Sequence, residues 1–213
     1  MEDSAGRTPG TRVTARLREL RFDAGSLSLN LIATVGRRPA SPVERLDGVE
    51  RLRSWCAGVG LLLRGEDATP QTVESLHALR AAAHDITTAV LHGRPAQPGA
   101  VELVNRRAQT EPPAPRLSLT ASGVHVDGRC AHLSADALQS LIARDLIALL
   151  GDPDRCSRLR ECDSEICRMI YLDIGRGWPR RWCSMQRCGN SAKAARHRRR
   201  KAGALGGPEE RSA

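Results

Sequence analysis

The sequence contains few aromatic residues, with three Trp, one Tyr and one Phe among 213 residues. Its hydrophobic core must therefore be mainly aliphatic. The shortage also argues against a base-stacking surface of the kind that binds single-stranded nucleic acid. Only Tyr171, Trp178 and Trp182 lie in the basic part of the chain. Any nucleic-acid binding would depend more on groove and phosphate contacts.

Long apolar runs are also missing. No segment approaches the roughly 20 apolar residues that span a bilayer, so we expect no membrane anchoring. The first 20 residues are polar and lack the apolar region of a secretory signal. We therefore expect a cytoplasmic protein in a reducing compartment, where disulfides are rare.

No familiar catalytic pattern is present. The sequence lacks a nucleophile–base motif, a metalloprotease motif and a nucleotide-binding fingerprint. Residues 175–177 (Gly-Arg-Gly) are interpreted as a turn, because the lysine of a phosphate-binding loop is missing. We predict that the protein is not an enzyme.

Lysine is absent from residues 1–154, where eighteen Arg balance eighteen Asp and Glu. Residues 155–201 contain fourteen Arg and Lys against four acidic residues. The excess positive charge therefore lies in the C-terminal segment, where it would attract a polyanion.

Four cysteines in this basic segment form two pairs of the same spacing, Cys162 with Cys167 and Cys183 with Cys188. Two short-spaced pairs are typical of a tetrahedral zinc site. Four thiolates fill the tetrahedron and leave no position for water, so we predict one structural zinc ion. The remaining cysteines are interpreted as lying outside the site: Cys56, Cys130 and Cys156.

The fourth cysteine leads into a strongly basic segment. Gly189 is expected to allow a tight turn, and Asn190 to cap a helix that runs to about Lys201. The predicted nucleic-acid contacts are the basic side chains of this region: Arg187, Lys193, Arg196, Arg198, Arg199, Arg200 and Lys201. The alternative is a solvated basic tail.

Hydrophobic periodicity predicts a mainly α fold, with a helical N-terminal domain, one small β-hairpin and a treble-clef or ribbon-like zinc finger ending in a basic helix. The predicted helices are residues 25–35, 42–63, 70–92, 98–109 and 135–150. A hairpin is predicted for residues 116–126. Trp178 and Trp182 are assigned to the small core of the finger.

The chain is divided into a disordered segment (1–20), a helical domain (21–154), a zinc finger (155–201) and a disordered tail (202–213). The helical domain and the finger are expected to have separate cores. Loss of zinc would then leave the helical domain folded.

Two parts of the sequence resemble known families. Residues 182–185 (Trp-Cys-Ser-Met), then Cys188-Gly189-Asn190, an Ala-Lys pair and an Arg-rich tail resemble the CGNR zinc finger. Residues 22–38, followed by a proline, a Trp-containing helix and a double leucine, resemble the ABATE domain that usually precedes this finger in bacterial proteins. Together the resemblances extend from about Phe22 to Lys201.

The resemblance implies a bacterial cytoplasmic transcription regulator, of a family partly linked to stress, whose finger binds DNA. The chain departs from the CGNR signature at its fourth position, where Ser191 stands in place of arginine. If that arginine contacts DNA, Arg187 and Lys193 would have to substitute for it.

The functional hypothesis is therefore a zinc-binding transcription regulator whose finger and basic helix contact nucleic acid, with duplex DNA favoured. The charge-neutral N-terminal domain would sense a small-molecule effector or form a homodimer. The alternatives are an RNA- or ribosome-binding zinc module, a thiol-based redox switch that releases zinc on oxidation, and a protein-interaction module.

Overall fold

The computed structural model describes residues 14–114, 116–127, 132–175 and 177–204, and these are mainly helical. The segments expected to be disordered lie largely outside the described residues. A short helix, α1 (Ala15–Arg18), falls within the first of them.

The other helices are α2 (Leu27–Ile32), α3 (Val49–Gly58), α4 (Pro70–His92), α5 (Pro98–Ala108), α6 (Ala135–Gly151), α7 (Pro153–Ser157) and α8 (Asn190–Ala204). The strands are β1 (Val35–Gly36), β2 (Val43–Glu44), β3 (Leu62–Leu63), β4 (Arg116–Thr120), β5 (Gly123–Asp127), β6 (His132–Leu133), β7 (Leu159–Glu161) and β8 (Ile170–Leu172). In the described part they pair as β1–β2, β3–β6, β4–β5 and β7–β8, and only β3–β6 is parallel.

Capping residues set the predicted ends of the two longest helices. The Thr69 side chain accepts a hydrogen bond from the backbone N–H of Thr72 at the start of α4, and Gly93 ends that helix with a φ of 61°. Ser134 caps α6 in the same way. These boundaries confirm the prediction, because a side-chain acceptor at the N-cap and a left-handed glycine after the last turn are strong local signals.

The predicted helix over residues 42–63 is wrong at both ends. Val43 and Glu44 are extended and pair with β1, and Leu62 and Leu63 pair with β6. Gly60, with a φ of 74°, takes a left-handed conformation that does not continue the helix. The helix is therefore limited to α3. The predicted hairpin is confirmed as β4 and β5.

The core is mainly aliphatic, as the sequence predicts, with Trp55 fully buried among leucines of α2, α4 and α6. The same buried cluster continues into the finger and includes Leu159, Ile170 and Tyr171. The expectation of separate cores is therefore wrong. The reason is that β8 lies against the helical domain, where the backbone N–H of Leu172 donates to the carbonyl of Ala24 at 2.8 Å.

Candidate metal centre and basic helix

Two short loops present the four cysteines of the predicted zinc site. Cys162 directly follows β7, and its backbone N–H donates to the carbonyl of Met169 at 2.9 Å, which closes the loop that contains Cys167. Cys183 precedes, and Cys188 lies within, a π-helical turn over Met185–Gly189. Both pairs are thus held by backbone hydrogen bonds next to regular structure.

The four sulfur atoms fit a tetrahedral zinc ion. All lie within 4.8 Å of one another. The Sγ atom of Cys183 is 3.7 Å from that of Cys167 and 3.6 Å from that of Cys188. A zinc–sulfur distance of about 2.3 Å in a regular tetrahedron places the sulfurs about 3.8 Å apart. The cofactor is therefore one structural zinc ion, and Cys156 is not part of the cluster.

One arginine from the N-terminal segment reaches this centre. Nη1 of Arg21 donates to Sγ of Cys183 at 3.3 Å, while Nε and Nη2 donate to the carboxylate of Asp23 at 2.9 and 2.6 Å. The guanidinium of Arg21 thus places a positive charge beside the Cys183 sulfur. This charge favours the thiolate, which is the form that binds zinc.

Gly189 and Asn190 differ from the prediction in their roles. Gly189 is buried, and a side-chain Cβ there would lie 2.6 Å from Sδ of Met185. The glycine thus allows the Met185 side chain to lie against the backbone. Asn190 has helical backbone angles, with φ −66° and ψ −37°, so it continues the π turn into α8 and does not cap the helix.

Of the two tryptophans assigned to the finger core, Trp182 packs against the buried cluster and Trp178 does not. Tyr171 is fully buried and its hydroxyl donates to the carbonyl of Arg180, whereas Trp178 is 96 % exposed. Trp182 is half-buried, with the guanidinium of Arg181 5.4 Å from its ring centre. The assignment of Trp178 to the finger core is therefore wrong, and Tyr171 fills that place.

The basic helix presents its charges to solvent. Lys193, Arg196, Arg198 and Arg200 are exposed, and none of them has an acidic partner among the described residues. Arg199 and Lys201 lie on α8, but their side chains are outside the described part. Arg187 differs from the rest of the predicted set.

Arg187 forms an ion pair with Glu19. Its Nη2 is 2.8 Å from Oε2 of Glu19, and its side chain is 29 % exposed. Arg187 therefore points towards the N-terminal segment, and it is less available to an external phosphate than the arginines of α8.

A cleft of about 260 Å³ separates the N-terminal segment from the finger. Its walls include Leu17, Arg21 and Arg45 on one side and Ile166 and Ser191 on the other. The Arg21 contact was missed from the sequence because it joins positions 162 residues apart, which no local spacing reveals.

Two family models match the chain. The ABATE model, described as "Putative stress-induced transcription regulator", matches residues 25–153, and the CGNR zinc finger model matches residues 158–201. Both resemblances seen in the sequence are thereby confirmed. No curated protein matches the chain. In the described residues, no helix is long and apolar enough to cross a membrane.

Proposed function

Since the chain belongs to the ABATE family and carries a CGNR zinc finger, we propose that it is a transcription regulator that binds duplex DNA through its zinc-supported helix α8. The observation that carries this proposal is the direct continuation of the metal centre into a helix whose basic residues, where their side chains are described, are exposed and have no acidic partner. The π turn that holds Cys188 runs into α8 without a break. Zinc therefore fixes the direction in which the first turns of the helix project.

The charges of α8 are arranged for a polyanion. Lys193, Arg196 and Arg200 follow one another at helical spacings and share one face. Like charges at these spacings repel and weaken an isolated helix. Phosphate groups remove the repulsion, and neutralising them releases counterions. The cysteine module keeps a net charge of about +8 after four thiolates bind one zinc ion.

Duplex DNA is favoured over structured RNA. The major groove of B-DNA admits an α-helix. The corresponding groove of A-form RNA is too deep and narrow for side chains to read, and RNA-binding modules commonly stack bases on aromatic residues. In the described part of the finger only Trp178 presents a largely exposed ring. Arg196, on the exposed face of α8, is our candidate for base contact.

The N-terminal domain, with no net charge, is assigned to dimerisation. The hairpin of β4 and β5 carries Leu117, Leu119 and Val124, which are 74, 83 and 67 % exposed. Register places Leu119 opposite Val124, so these side chains form one apolar face. A two-stranded hairpin is only marginally stable alone, and a stable sheet needs at least one further strand that shares its hydrophobic face. We assign the equivalent hairpin of a second copy as its partner.

Light scattering coupled to size exclusion tests this assignment. Leu119→Glu is expected to convert a dimer to a monomer, whereas Ser118→Glu, on the opposite face of β4, is expected to leave the dimer intact. A monomeric wild-type protein at micromolar concentration, or equal effects of both variants, would contradict it.

The sensing role is placed at the cleft between the N-terminal segment and the finger, because an effector there would touch both parts of the chain. Ile166→Trp would fill the cleft. A compound that raises the melting temperature of the wild type but not of this variant would support the role, whereas an equal shift in both would refute it.

The proposal also includes a cytoplasmic location and no enzymatic activity, since four thiolates close the zinc coordination shell.

Fluorescence anisotropy with the zinc-loaded full chain tests the DNA-binding proposal. One variant carries three substitutions in α8: Arg196→Gln, Arg198→Gln and Arg200→Gln. At physiological salt this variant should bind duplex DNA about 100-fold more weakly, from the loss of three phosphate contacts. The matched control removes the same charge from the helical domain: Arg53→Gln, Arg64→Gln and Arg106→Gln.

Equal weakening by the two triple variants would contradict the proposal. If structured RNA displaces the labelled duplex at a lower concentration than unlabelled duplex DNA does, the RNA-binding alternative is favoured. Zinc release at low peroxide, together with lost DNA binding, would identify a thiol-based switch.

A further inference from the structure

Residues 17–24, which we call the strap, contact both the helical domain and the finger. The strap precedes the residues matched by either family model. On one side, Nε of Arg45 donates to the carbonyl of Leu17 at 2.8 Å. On the other side, the strap meets the finger at three points: Glu19 with Arg187, Arg21 with Cys183, and Ala24 with Leu172.

Arg21 is the most buried charged residue of the strap, with 6 % of its surface exposed. Burying a guanidinium is costly unless its donors are paired. Two of its nitrogens are held by Asp23, and the third reaches the Cys183 sulfur. Asp23 thus orients the guanidinium, and its remaining donor is directed at a metal ligand.

This contact matters electrostatically, because four thiolates and one zinc ion carry a net charge of about −2. A cationic donor to one sulfur offsets part of that charge. Groups that hydrogen-bond to metal ligands typically change metal affinity by 10- to 100-fold. Here the donor lies 162 residues from the ligand, outside the finger.

We infer that Arg21 is a positioning residue of the zinc centre, and that the strap couples zinc binding to the docking of the N-terminal segment. The finger therefore does not reach full zinc affinity by itself. This inference concerns metal binding and stands whether or not α8 binds DNA.

The test uses the full chain and two measurements. Zinc affinity is measured by competition with a chromophoric chelator, and the thiolate-to-metal charge-transfer band is recorded after cobalt substitution. Arg21→Leu should weaken zinc binding 10- to 100-fold and shift the cobalt band, and Arg21→Lys should restore part of both.

Arg187→Gln is the matched control. It removes the other charged contact between strap and finger without touching a sulfur, and we expect less than a threefold change in zinc affinity.

Zinc affinity of Arg21→Leu within threefold of the wild type would overturn the inference. An equal loss in Arg187→Gln would overturn the role of Arg21, since it would show that docking of the strap, and not the contact with the sulfur, determines zinc affinity. If Arg21→Leu does not fold, Asp23→Asn decides, because it removes the carboxylate that orients the guanidinium. Wild-type affinity and an unshifted cobalt band in Asp23→Asn would refute the role of Arg21.

Discussion

Removing the zinc ion should destabilise the helical domain as well as the finger. Cys183→Ser deletes one ligand, and structural zinc contributes about 10–16 kcal/mol in finger peptides, so the finger should unfold. The question is whether the helices follow. Ile170, Tyr171 and Leu172 are each at most 5 % exposed and belong to the same buried cluster as the helical core.

The size of the effect follows from this burial. Fully burying one such side chain is worth about 1.5–3 kcal/mol, so the three together represent about 5–9 kcal/mol. If the helical domain supplies half of the surface that covers these side chains, unfolding the finger lowers the free energy of unfolding of that domain by about 2–4 kcal/mol. For a chain of this size, the midpoint of helix melting should fall by about 5–15 °C.

Circular dichroism at a helical wavelength measures this change during thermal melting. Cys156→Ser is the matched control, because it makes the same chemical change outside the cluster, and it should melt like the wild type. Helix melting in Cys183→Ser at the wild-type temperature would refute the reasoning and would restore the expectation of two separate cores.

Three further predictions concern single residues. Burial and the nearby Arg38 charge lower the pKa of His84 to about 4, below the unfolded value of about 6.5. Stability should therefore fall as the pH drops from about 6.5 towards 4, and His84→Gln should reduce that loss in denaturant titrations at pH 7 and pH 5; equal losses in both proteins would contradict this. Trp178→Ala should leave zinc content and melting temperature unchanged, because the ring is 96 % exposed, and a lower melting temperature would show that it packs. Ser191→Arg adds one charge at an exposed position of α8 and should tighten duplex binding about fivefold in anisotropy measurements; unchanged affinity would mean that this position does not face DNA.

Local signals in the sequence were sufficient for the metal ligands and for the long helices. The paired cysteines identify the zinc site by spacing alone, and Thr69 and Ser134 mark helix starts through their own side chains. These features depend on neighbours a few residues away. The hairpin of β4 and β5 was found for the same reason, since alternating residues surround a tight turn.

Features that depend on distant contacts were not predictable in this way. Leu62 pairs with His132, far along the chain, and Val43 pairs with Gly36 across a loop, and neither pairing is visible in the helical periodicity of residues 42–63. Tryptophan is usually buried, which favours a core position for Trp178, but its ring is 96 % exposed and Tyr171 is the fully buried aromatic residue of the finger. The bond between Arg21 and Cys183 joins the two ends of the sequence.

The salt dependence of DNA affinity tests the central claim most directly. If Lys193, Arg196, Arg198 and Arg200 each neutralise a phosphate, log affinity of the zinc-loaded protein should fall with log salt concentration with a slope of about −3.6 or steeper. Replacing the three arginines by glutamine should reduce that slope by about 2.7. An unchanged slope and affinity, in a variant that retains its zinc, would show that α8 is a solvated basic helix and does not bind DNA.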